Sequence, residues 1–231
     1  MIQTATFRGH AFKVCMGTTH PAYSLAIFSE GGEEYDFREK YWTVQPGEVV
    51  VDVGASYGAY TLTALAAGAA KVWAFEPEPT IAPDLRRNLE ANQEWEGRWS
   101  VYQIALSSAQ GPGALVDMRT YAPHWPQQTI SGAYAAVALD SIEAIEGRLG
   151  RDALLRLDWL KIDVEGHEPE VLRGAAETIR RFKPTIILEV HTFLDATLLD
   201  RCVALLKECG YDGFEFVERE PCVMVIAKEL K

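Results

Sequence analysis

Short apolar runs alternate along this chain with segments whose apolar residues recur every three or four positions. Continuous apolar runs are typical of strands buried on both faces of a sheet, and the spaced pattern is typical of helices that cover the sheet. Their alternation predicts a βαβ series with a largely parallel sheet. The predicted strands are EVVVDVG, KVWAFEP, WSVYQIALS, RLDWLKIDVEG and PTIILEVH, followed by an antiparallel hairpin of FEFVE and CVMVIAK joined through Pro221.

The predicted helices cover residues 59–69, 80–92, 168–182 and 198–209, and Thr80 is the expected N-cap of the second. Two regions depart from the alternation. Residues 1–45 predict an N-terminal cap of short strands, which include AFKVCM and YSLAIF. Residues 111–138 contain prolines and several aromatic residues, and a loop of this length inside a compact domain is usually functional, so it is predicted to be a lid on the substrate side.

Composition limits the classes of protein that fit. A chain of 231 residues, 48% of them hydrophobic, predicts one domain over residues 1–231. A formal net charge of −11 without a basic run argues against nucleic acid as a partner. The sequence shows neither a leader pattern nor an apolar run of roughly 20 residues, so we expect a soluble cytoplasmic protein that does not bind membranes. Its four cysteines lack zinc-ligand spacing, which favours buried reduced thiols.

The stretch VVVDVGASYGAYT places Gly54 and Gly58 between a predicted strand and a predicted helix. Such a turn points backbone N–H groups and the positive end of the helix dipole at an anionic group. Because Ser56 stands where a dinucleotide fingerprint needs its middle glycine, the turn disfavours NAD and FAD. A P-loop is excluded because no Gly-Lys-Ser/Thr follows.

The next strand ends in AFEPEP, which predicts Glu76 beside the glycine turn at the carboxyl edge of the sheet. A carboxylate at this place can accept hydrogen bonds from both hydroxyls of an unphosphorylated ribose. A ribose without a pyrophosphate indicates S-adenosylmethionine, whose cationic sulfonium and amino group favour nearby acids such as Asp52 and Asp163. S-adenosylmethionine is therefore the predicted cofactor.

The blocks DVGASYGAYT, AFEPEP, IALSSAQG, LKIDVEGHEPEVLRGA and PTIILEVH, in this order, resemble the FkbM family of S-adenosylmethionine-dependent methyltransferases over about residues 36–192. The resemblance implies an α/β class I methyltransferase fold: a Rossmann-like sheet of seven strands, parallel except for one strand in the C-terminal hairpin, with helices on both faces. It also implies O-methylation of a natural product or a carbohydrate. Ser56 and Tyr57 depart from the family, which more often has Asn-Ile or Asn-Val there.

The motifs also imply which residues bind the cofactor. These are Asp52, Gly54, Ser56 and Gly58 at the methionine, Glu76 at the ribose, Gln103 and Ala105 at the adenine, and Glu39 at the amino end. Asp163 is expected beside the sulfonium because it follows the fourth predicted strand at the same edge of the sheet.

Acids and histidines follow the fourth and fifth predicted strands, at the edge where an open α/β sheet binds ligands. His191 is the predicted general base, because imidazole titrates near neutral pH. Asp163 and Glu165 complete the predicted catalytic set, although Glu165 could instead cap the helix that follows. The expected substrate contacts are Glu189 and His167 at this edge, with Tyr121, His124 and Trp125 in the 111–138 segment.

Several alternatives stay open. Asp163, Glu189 and His191 could bind a divalent cation, but no metal is expected because Asp163 has a competing role at the cofactor. The same cofactor could support N-methylation, or an acceptor-free cyclisation or lyase reaction that releases methylthioadenosine. The chain could also be a cofactor-binding module without catalysis. The predicted partner is a small-molecule acceptor, with a homodimer as a possible assembly.

Overall fold

The computed structural model describes residues 1–18, 20–108 and 155–229, together with the backbone of 111–114 and 133–137. The strands are β1 (Ile2–Phe7), β2 (His10–Cys15), β3 (Val49–Val53), β4 (Lys71–Phe75), β5 (Trp99–Tyr102), β6 (Ala105–Leu106), β7 (Gly111–Ala114), β8 (Ala133–Val137), β9 (Trp159–Ile162), β10 (Thr185–Val190), β11 (Gly213–Arg219) and β12 (Cys222–Lys228). The helices are α1 (Pro21–Ala26), α2 (Glu33–Tyr41), α3 (Ala59–Ala66), α4 (Ala82–Glu90), α5 (Glu168–Gly174), α6 (Ala176–Phe182) and α7 (Leu198–Glu208), with a 3₁₀ turn at Gln93–Trp95.

Seven strands form the main sheet in the order β11-β12-β10-β9-β3-β4-β5. Neighbours from β10 to β5 are parallel, and β12 runs antiparallel to both β10 and β11. The predicted parallel sheet with an antiparallel C-terminal hairpin is thereby confirmed. The strand order reverses between β3 and β9, and the crevice at the carboxyl ends of such strands is where α/β sheets bind ligands.

Each face of the sheet buries its own apolar core. Val50, Trp159 and Ile187 pack with side chains of the N-terminal hairpin and of α2, α3 and α4. Leu160 and Leu188 lie on the other face, with side chains of α5, α6 and α7. Because successive strand residues point to opposite faces, strands buried on both faces need continuous apolar sequences, which is the pattern the chain shows.

The N-terminal region differs from the prediction. The β1-β2 hairpin contains the expected strand AFKVCM, but YSLAIF lies in and just after helix α1, and the segment before β3 forms helix α2. Pro21 occupies the first turn of α1, a position where its missing N–H costs nothing. Ser24 Oγ accepts the N–H of Gly17 at 2.7 Å and donates to the carbonyl of Pro21 at 2.9 Å. These bonds stabilise a helix too short to show helical periodicity.

Two other predicted elements are divided. The predicted strand WSVYQIALS forms two strands. Its first part, β5, lies in the main sheet and ends at Tyr102, whereas its second part, β6, joins β7 and β8 in a separate three-stranded sheet. The predicted helix 168–182 is interrupted at Ala175, next to Gly174, where a Cβ atom would collide with the carbonyl oxygen of Ser107. The predicted N-cap is also wrong, because α4 begins at Ala82 and the Thr80 hydroxyl donates to Glu78 at 2.8 Å.

None of the helices in the described part of the chain combines the length and the apolar character that crossing a membrane requires. The four cysteines, which include one on β12, are buried and form no disulfide bond with one another.

Candidate active site

The turn after β3 is built on left-handed backbone. Gly54, Ser56 and Gly58 have φ angles of 73°, 50° and 94°. The N–H groups of Gly54 and Ala55 both donate to the carbonyl of Phe75, at 2.9 and 3.0 Å, which ties the turn to the end of β4. A Cβ atom on Gly54 would collide with the carbonyl oxygen of Asp163. The turn therefore needs glycine at this position both for its φ angle and for contact with the chain that follows β9.

Glu76 follows β4 and is held against this turn. Its carboxylate accepts the N–H of Ser56 at 2.8 Å and the N–H of Glu78 at 2.9 Å. Burial raises the pKa of Glu76 to about 7, although these two N–H groups favour the charged form. The structure thus places the predicted ribose ligand beside the glycine turn, as the sequence indicates.

Asp52 lies behind the turn rather than in the crevice. It is fully buried, and its carboxylate accepts a hydrogen bond from Thr61 at 2.6 Å and lies 3.4 Å from Lys161 Nζ. Lys161 also donates to the carbonyl of Gly54 at 2.7 Å and lies 3.5 Å from Asp163. Asp52 has no exposed surface and supports the turn from behind, and its direct contact with the cofactor stays a prediction.

Lys161 is a buried cation that the sequence analysis did not single out. Burial disfavours its charge, but the carboxylates of Asp163 and Asp52 raise the pKa of the ammonium above its ordinary value. The sequence contained a signal for this cation, because a lysine interrupts the apolar run WLKI. In the folded sheet this lysine is the direct register partner of Asp52.

The carboxyl ends of β9 and β10 bring a histidine and several carboxylates together. His191 is buried, with Nε2 at 3.0 Å from Glu165 Oε2 and 3.7 Å from Asp163 Oδ1, and Nδ1 at 2.7 Å from Glu168 Oε1. Burial opposes its charge, but hydrogen bonds to Cys222, Glu165 and Glu168 hold the pKa of His191 well above its ordinary value. The raised pKa favours the imidazolium, the form of His191 that can donate at both nitrogens.

Glu189 is half-buried and points to the same face of β10 as His191. Burial and the charge of Asp163 raise its pKa to about 8. A carboxylic acid with this pKa gains and loses its proton near neutral pH, which is the property expected of a general base.

Tyr23 of α1 extends the site to the N-terminal region. Its ring lies 6.2 Å from the ring of Tyr57 in the glycine turn, measured between centroids. Burial and the nearby charges of Glu34 and Asp163 raise the pKa of the Tyr23 phenol above its ordinary value. The phenol therefore stays protonated and able to donate a hydrogen bond. Sequence reasoning missed Tyr23 because its segment was predicted as a strand outside the site.

Other predicted residues lie elsewhere. Glu39 is exposed on α2, and its carbonyl accepts a hydrogen bond from Arg8 at 3.2 Å, so the structure does not bring it to the crevice. His167 is the N-cap residue of α5 and bonds to Ser107 Oγ at 2.9 Å instead of joining the acids around His191. Gln103 is exposed just after β5, and Ala105 begins β6. Contacts of Gln103 and Ala105 with adenine stay predictions, and Tyr121, His124 and Trp125 lie outside the described residues.

Among the residues that the structure describes, two groups of side chains have a spacing that a metal ion could bridge. Asp163, Glu165 and His191 each place one donor atom within 4.8 Å of the others, as do Glu189, His191 and Cys222. Hydrogen bonds at both nitrogens of His191 already account for this arrangement without a cation. The geometry therefore supports a hydrogen-bonded network, and we assign no metal to it.

The described residues fit S-adenosylmethionine. Ser56 Oγ is buried in the glycine turn and has no hydrogen-bond partner among them, and buried polar atoms normally have one. Glu76 offers a carboxylate at the adjoining strand end, and Asp163 and Glu165 offer negative charge a short distance along the same edge. Unpaired polar groups and acids at one crevice suit a cationic nucleoside without phosphate.

Comparisons with known proteins agree with this geometry. The family model described as "Methyltransferase FkbM domain" matches residues 52–212. The chain is 32% identical to the AMB antimetabolite synthetase AmbE of Pseudomonas aeruginosa, over 78% of this chain and 10% of AmbE. It is 29% identical to methyltransferase sdnD of Sordaria araneosa, over 71% of this chain and 73% of sdnD. It is 26% identical to the hexuronic acid methyltransferase AglP of Haloferax volcanii, over 71% of this chain and 64% of AglP.

Solved structures show the same fold. The FkbM methyltransferase of Methylobacillus flagellatus KT matches with a TM-score of 0.58 and 18% identity, over 78% of this chain and 43% of that one. The precorrin-6y C5,15-methyltransferase of Geobacter metallireducens GS-15 matches with a TM-score of 0.52 and 17% identity, over 87% of this chain and 92% of that one.

The fold and the site define an S-adenosylmethionine-dependent class I methyltransferase. Within that class the chain belongs to the FkbM methyltransferase family, whose model covers most of its length. It is an enzyme, and S-adenosylmethionine is its cofactor. The chain spans about a tenth of the length of AmbE and about two thirds of the length of AglP.

Proposed function

We propose that this enzyme methylates a hydroxyl oxygen of a small molecule, either a natural product or a carbohydrate. The observation that carries the proposal is the group of carboxylates at the ends of β9 and β10, beside the glycine turn. A hydroxyl must lose a proton as it attacks a methyl group, and carboxylates at that edge can accept it. Support also comes from AglP, a relative whose name gives a hexuronic acid as its substrate.

When bound, S-adenosylmethionine supplies a methyl group that its sulfonium has already activated. In the proposed reaction the glycine turn and Glu76 orient the cofactor, and Tyr23 donates a hydrogen bond to the acceptor. Glu189 accepts the hydroxyl proton, since its pKa of about 8 lies near the working pH. Alignment of the two reacting atoms contributes most of the rate, because methyl transfer is an in-line displacement.

The base assignment replaces the one expected from sequence. His191 was the predicted base, but an imidazolium whose two nitrogens both donate to carboxylates has no lone pair with which to accept a proton. We assign His191 instead to the orientation of Glu165. Roles of Asp163 and Glu165 in catalysis, and of Glu189 and His167 in contact with the substrate, stay predictions.

The proposal is tested with S-adenosylmethionine that carries a ¹³C-labelled methyl group. The enzyme is incubated with neutral sugars, uronic acids, phenols and aliphatic alcohols, and the products are examined by mass spectrometry and ¹³C NMR. We expect a labelled O-methyl resonance with at least one acceptor, and loss of turnover in Glu189→Gln with unchanged binding of S-adenosylhomocysteine.

Each other outcome contradicts O-methylation in a different way. A labelled N-methyl resonance alone indicates an amine acceptor. Methylthioadenosine released without an acceptor indicates cyclisation or lyase chemistry. Saturable binding of both sulfur compounds without any turnover indicates a cofactor-binding module. The homodimer and the cytoplasmic location stay predictions, which this experiment does not address.

A further inference from the structure

The buried carboxylate of Glu168 supports the site from beneath the crevice. Glu168 is 0% exposed, although it lies in the first turn of α5, where acids usually meet water. One of its oxygens, Oε1, lies 2.7 Å from His191 Nδ1 and accepts the N–H of Gly166 at 2.9 Å. A buried carboxylate is costly unless such partners compensate for its lost hydration. Glu168 thereby joins helix α5, strand β10 and the turn after β9 at one atom.

The turn that Glu168 contacts is strained. Glu165 and Gly166 have consecutive left-handed φ angles of 54° and 96°, a conformation that costs a residue with a side chain about 1 kcal/mol. The side chain of Glu165 is held at 3.0 Å from His191 Nε2. Strained backbone persists where its surroundings fix it, and it is concentrated at functional sites. Here two hydrogen bonds of one imidazole link the strained residue to the buried carboxylate.

We propose that Glu168 is a positioning residue for methyl transfer, which acts through His191 to fix the left-handed turn at Glu165 and the carboxylates at the end of β9. The expected effect of Glu168 on methyl transfer to the acceptor rests on the proposed function. The expected charge of His191 and the geometry of the turn at Glu165 do not depend on which acceptor the enzyme uses. Glu168 does not reach the crevice, because it has no exposed surface.

Every charged or titratable group around His191 bears on this role. Asp163 and Glu165 face it from the turn after β9, Glu168 from α5, Glu189 from its own strand, and Cys222 from β12. Among these, Glu168 is the fully buried carboxylate. If Glu168 were neutral, His191 would lose its proton at a lower pH. The neutral imidazole keeps a single N–H, so it could no longer donate at both nitrogens, and its contact with Glu165 would lose the charge assistance that strengthens it.

The matched variants are Glu168→Gln and Glu170→Gln. Both remove one charge from the first turn of α5, so both change the interaction with the helix dipole alike. Glu170 pairs with Arg173 and is remote from His191. We expect Glu168→Gln to lower kcat by roughly tenfold or more, with the Kd for S-adenosylhomocysteine within about threefold of wild type. Glu170→Gln is expected to stay within about twofold in both. Equal kcat in the two variants would overturn the proposal.

The pH dependence separates positioning from a merely structural effect. Glu168→Gln removes one of the hydrogen bonds that raise the pKa of His191, so the imidazolium of the variant loses its proton at a lower pH than that of the wild type. The ratio of wild-type to variant kcat is therefore expected to rise with pH between about pH 6 and about pH 8. A constant ratio would mean that Glu168 acts only through the stability of the fold.

A direct measurement keeps the proposal testable if Glu168→Gln does not fold. The chain has five histidines, and ¹⁵N-histidine NMR of the wild type, with His191→Gln to assign the signal, reports both ring nitrogens. We expect His191 to carry protons on both nitrogens at about pH 7.5. A neutral His191 there overturns the proposal. This outcome is independent of the acceptor, so failure to find an O-methylated product would contradict the proposed function and leave this result standing.

Discussion

Two separate requirements, one for the backbone conformation and one for space, explain why residue 54 has no Cβ atom. The backbone has a φ of 73°, and the space where a Cβ would lie is occupied by the carbonyl oxygen of Asp163. Gly31 has nearly the same φ, 74°, but open space around the corresponding position. The pair therefore separates the cost of a left-handed conformation from the cost of a collision.

We expect Gly31→Ala to lower the free energy of unfolding by about 1 kcal/mol, the cost of a left-handed residue with a Cβ. Gly54→Ala should lose roughly 1–3 kcal/mol more, because the backbone of Asp163 must move, and should also weaken binding of S-adenosylmethionine. Urea unfolding and isothermal titration measure the two effects. Equal losses of stability would show that the contact with Asp163 can relax freely.

Glu76 gives the stability of the ligand-free protein a pH dependence. Its pKa is about 7 in the fold, against 4.5 in the reference state. A folded-state pKa that is raised favours the protonated native form, so this stabilisation is complete below about pH 4.5 and is lost as pH rises to about 7. The expected loss is roughly 3 kcal/mol.

Glu76→Gln should remove that part of the slope. Urea unfolding of wild type and variant at about pH 5 and about pH 7.5 measures it, and the wild type should lose more stability between the two. Other titrating groups contribute equally to both proteins and cancel in the difference. Parallel pH profiles would contradict the raised pKa.

At the scale of elements, two asparagines of the α4 region replace a missing strand partner for β2. Asn92 accepts the N–H of Lys13 at 2.7 Å and donates to its carbonyl at 2.9 Å. Asn88 accepts the N–H of Cys15 at 2.6 Å and donates to the carbonyl of Tyr57 at 2.8 Å. Both side chains are buried, so they join the N-terminal hairpin to α4, and the bond from Asn88 to Tyr57 also joins it to the glycine turn.

Asn88→Ala and Asn92→Ala should each destabilise the fold by roughly 1–3 kcal/mol, because each leaves buried backbone groups unpaired. Only Asn88→Ala should also weaken binding of S-adenosylmethionine, since only Asn88 holds the carbonyl of Tyr57. Thermal unfolding and isothermal titration provide the two readouts. An equal loss of affinity in Asn92→Ala would mean that the hairpin as a whole, rather than Asn88, supports the turn.

The sequence predicted those elements that depend on residues close together in the chain. Strands β3, β4, β9 and β10 are largely apolar runs, and the glycine turn with Glu76 identified the cofactor correctly. Helix α1 was missed because six residues are too few to show a helical period. Glu168 was overlooked because its partner, His191, lies 23 residues further along the chain. The pKa of His191 depends in part on that partner, so a local pattern could not show whether its imidazole is free to act as the predicted base.

At the scale of the whole molecule, the net charge of −11 opposes contact with polyanions. We expect no saturable binding of duplex DNA or structured RNA at about 150 mM salt, up to concentrations on the order of 10⁻⁴ M. Fluorescence polarisation with labelled oligonucleotides measures this, and binding of S-adenosylhomocysteine in the same sample shows that the protein is intact. Saturable binding that weakens with added salt would instead reveal a basic surface outside the described residues.

The small β6-β8-β7 sheet has a practical consequence for engineering. Its strands pair with one another and not with the seven strands that carry the cofactor turn. Strands β7 and β8 can therefore be exchanged for those of another family member without breaking a described ladder of the main sheet. If residues 111–138 contact the acceptor, as the sequence predicts, such chimeras should carry over the acceptor preference of the donor enzyme while the cofactor turn stays unchanged.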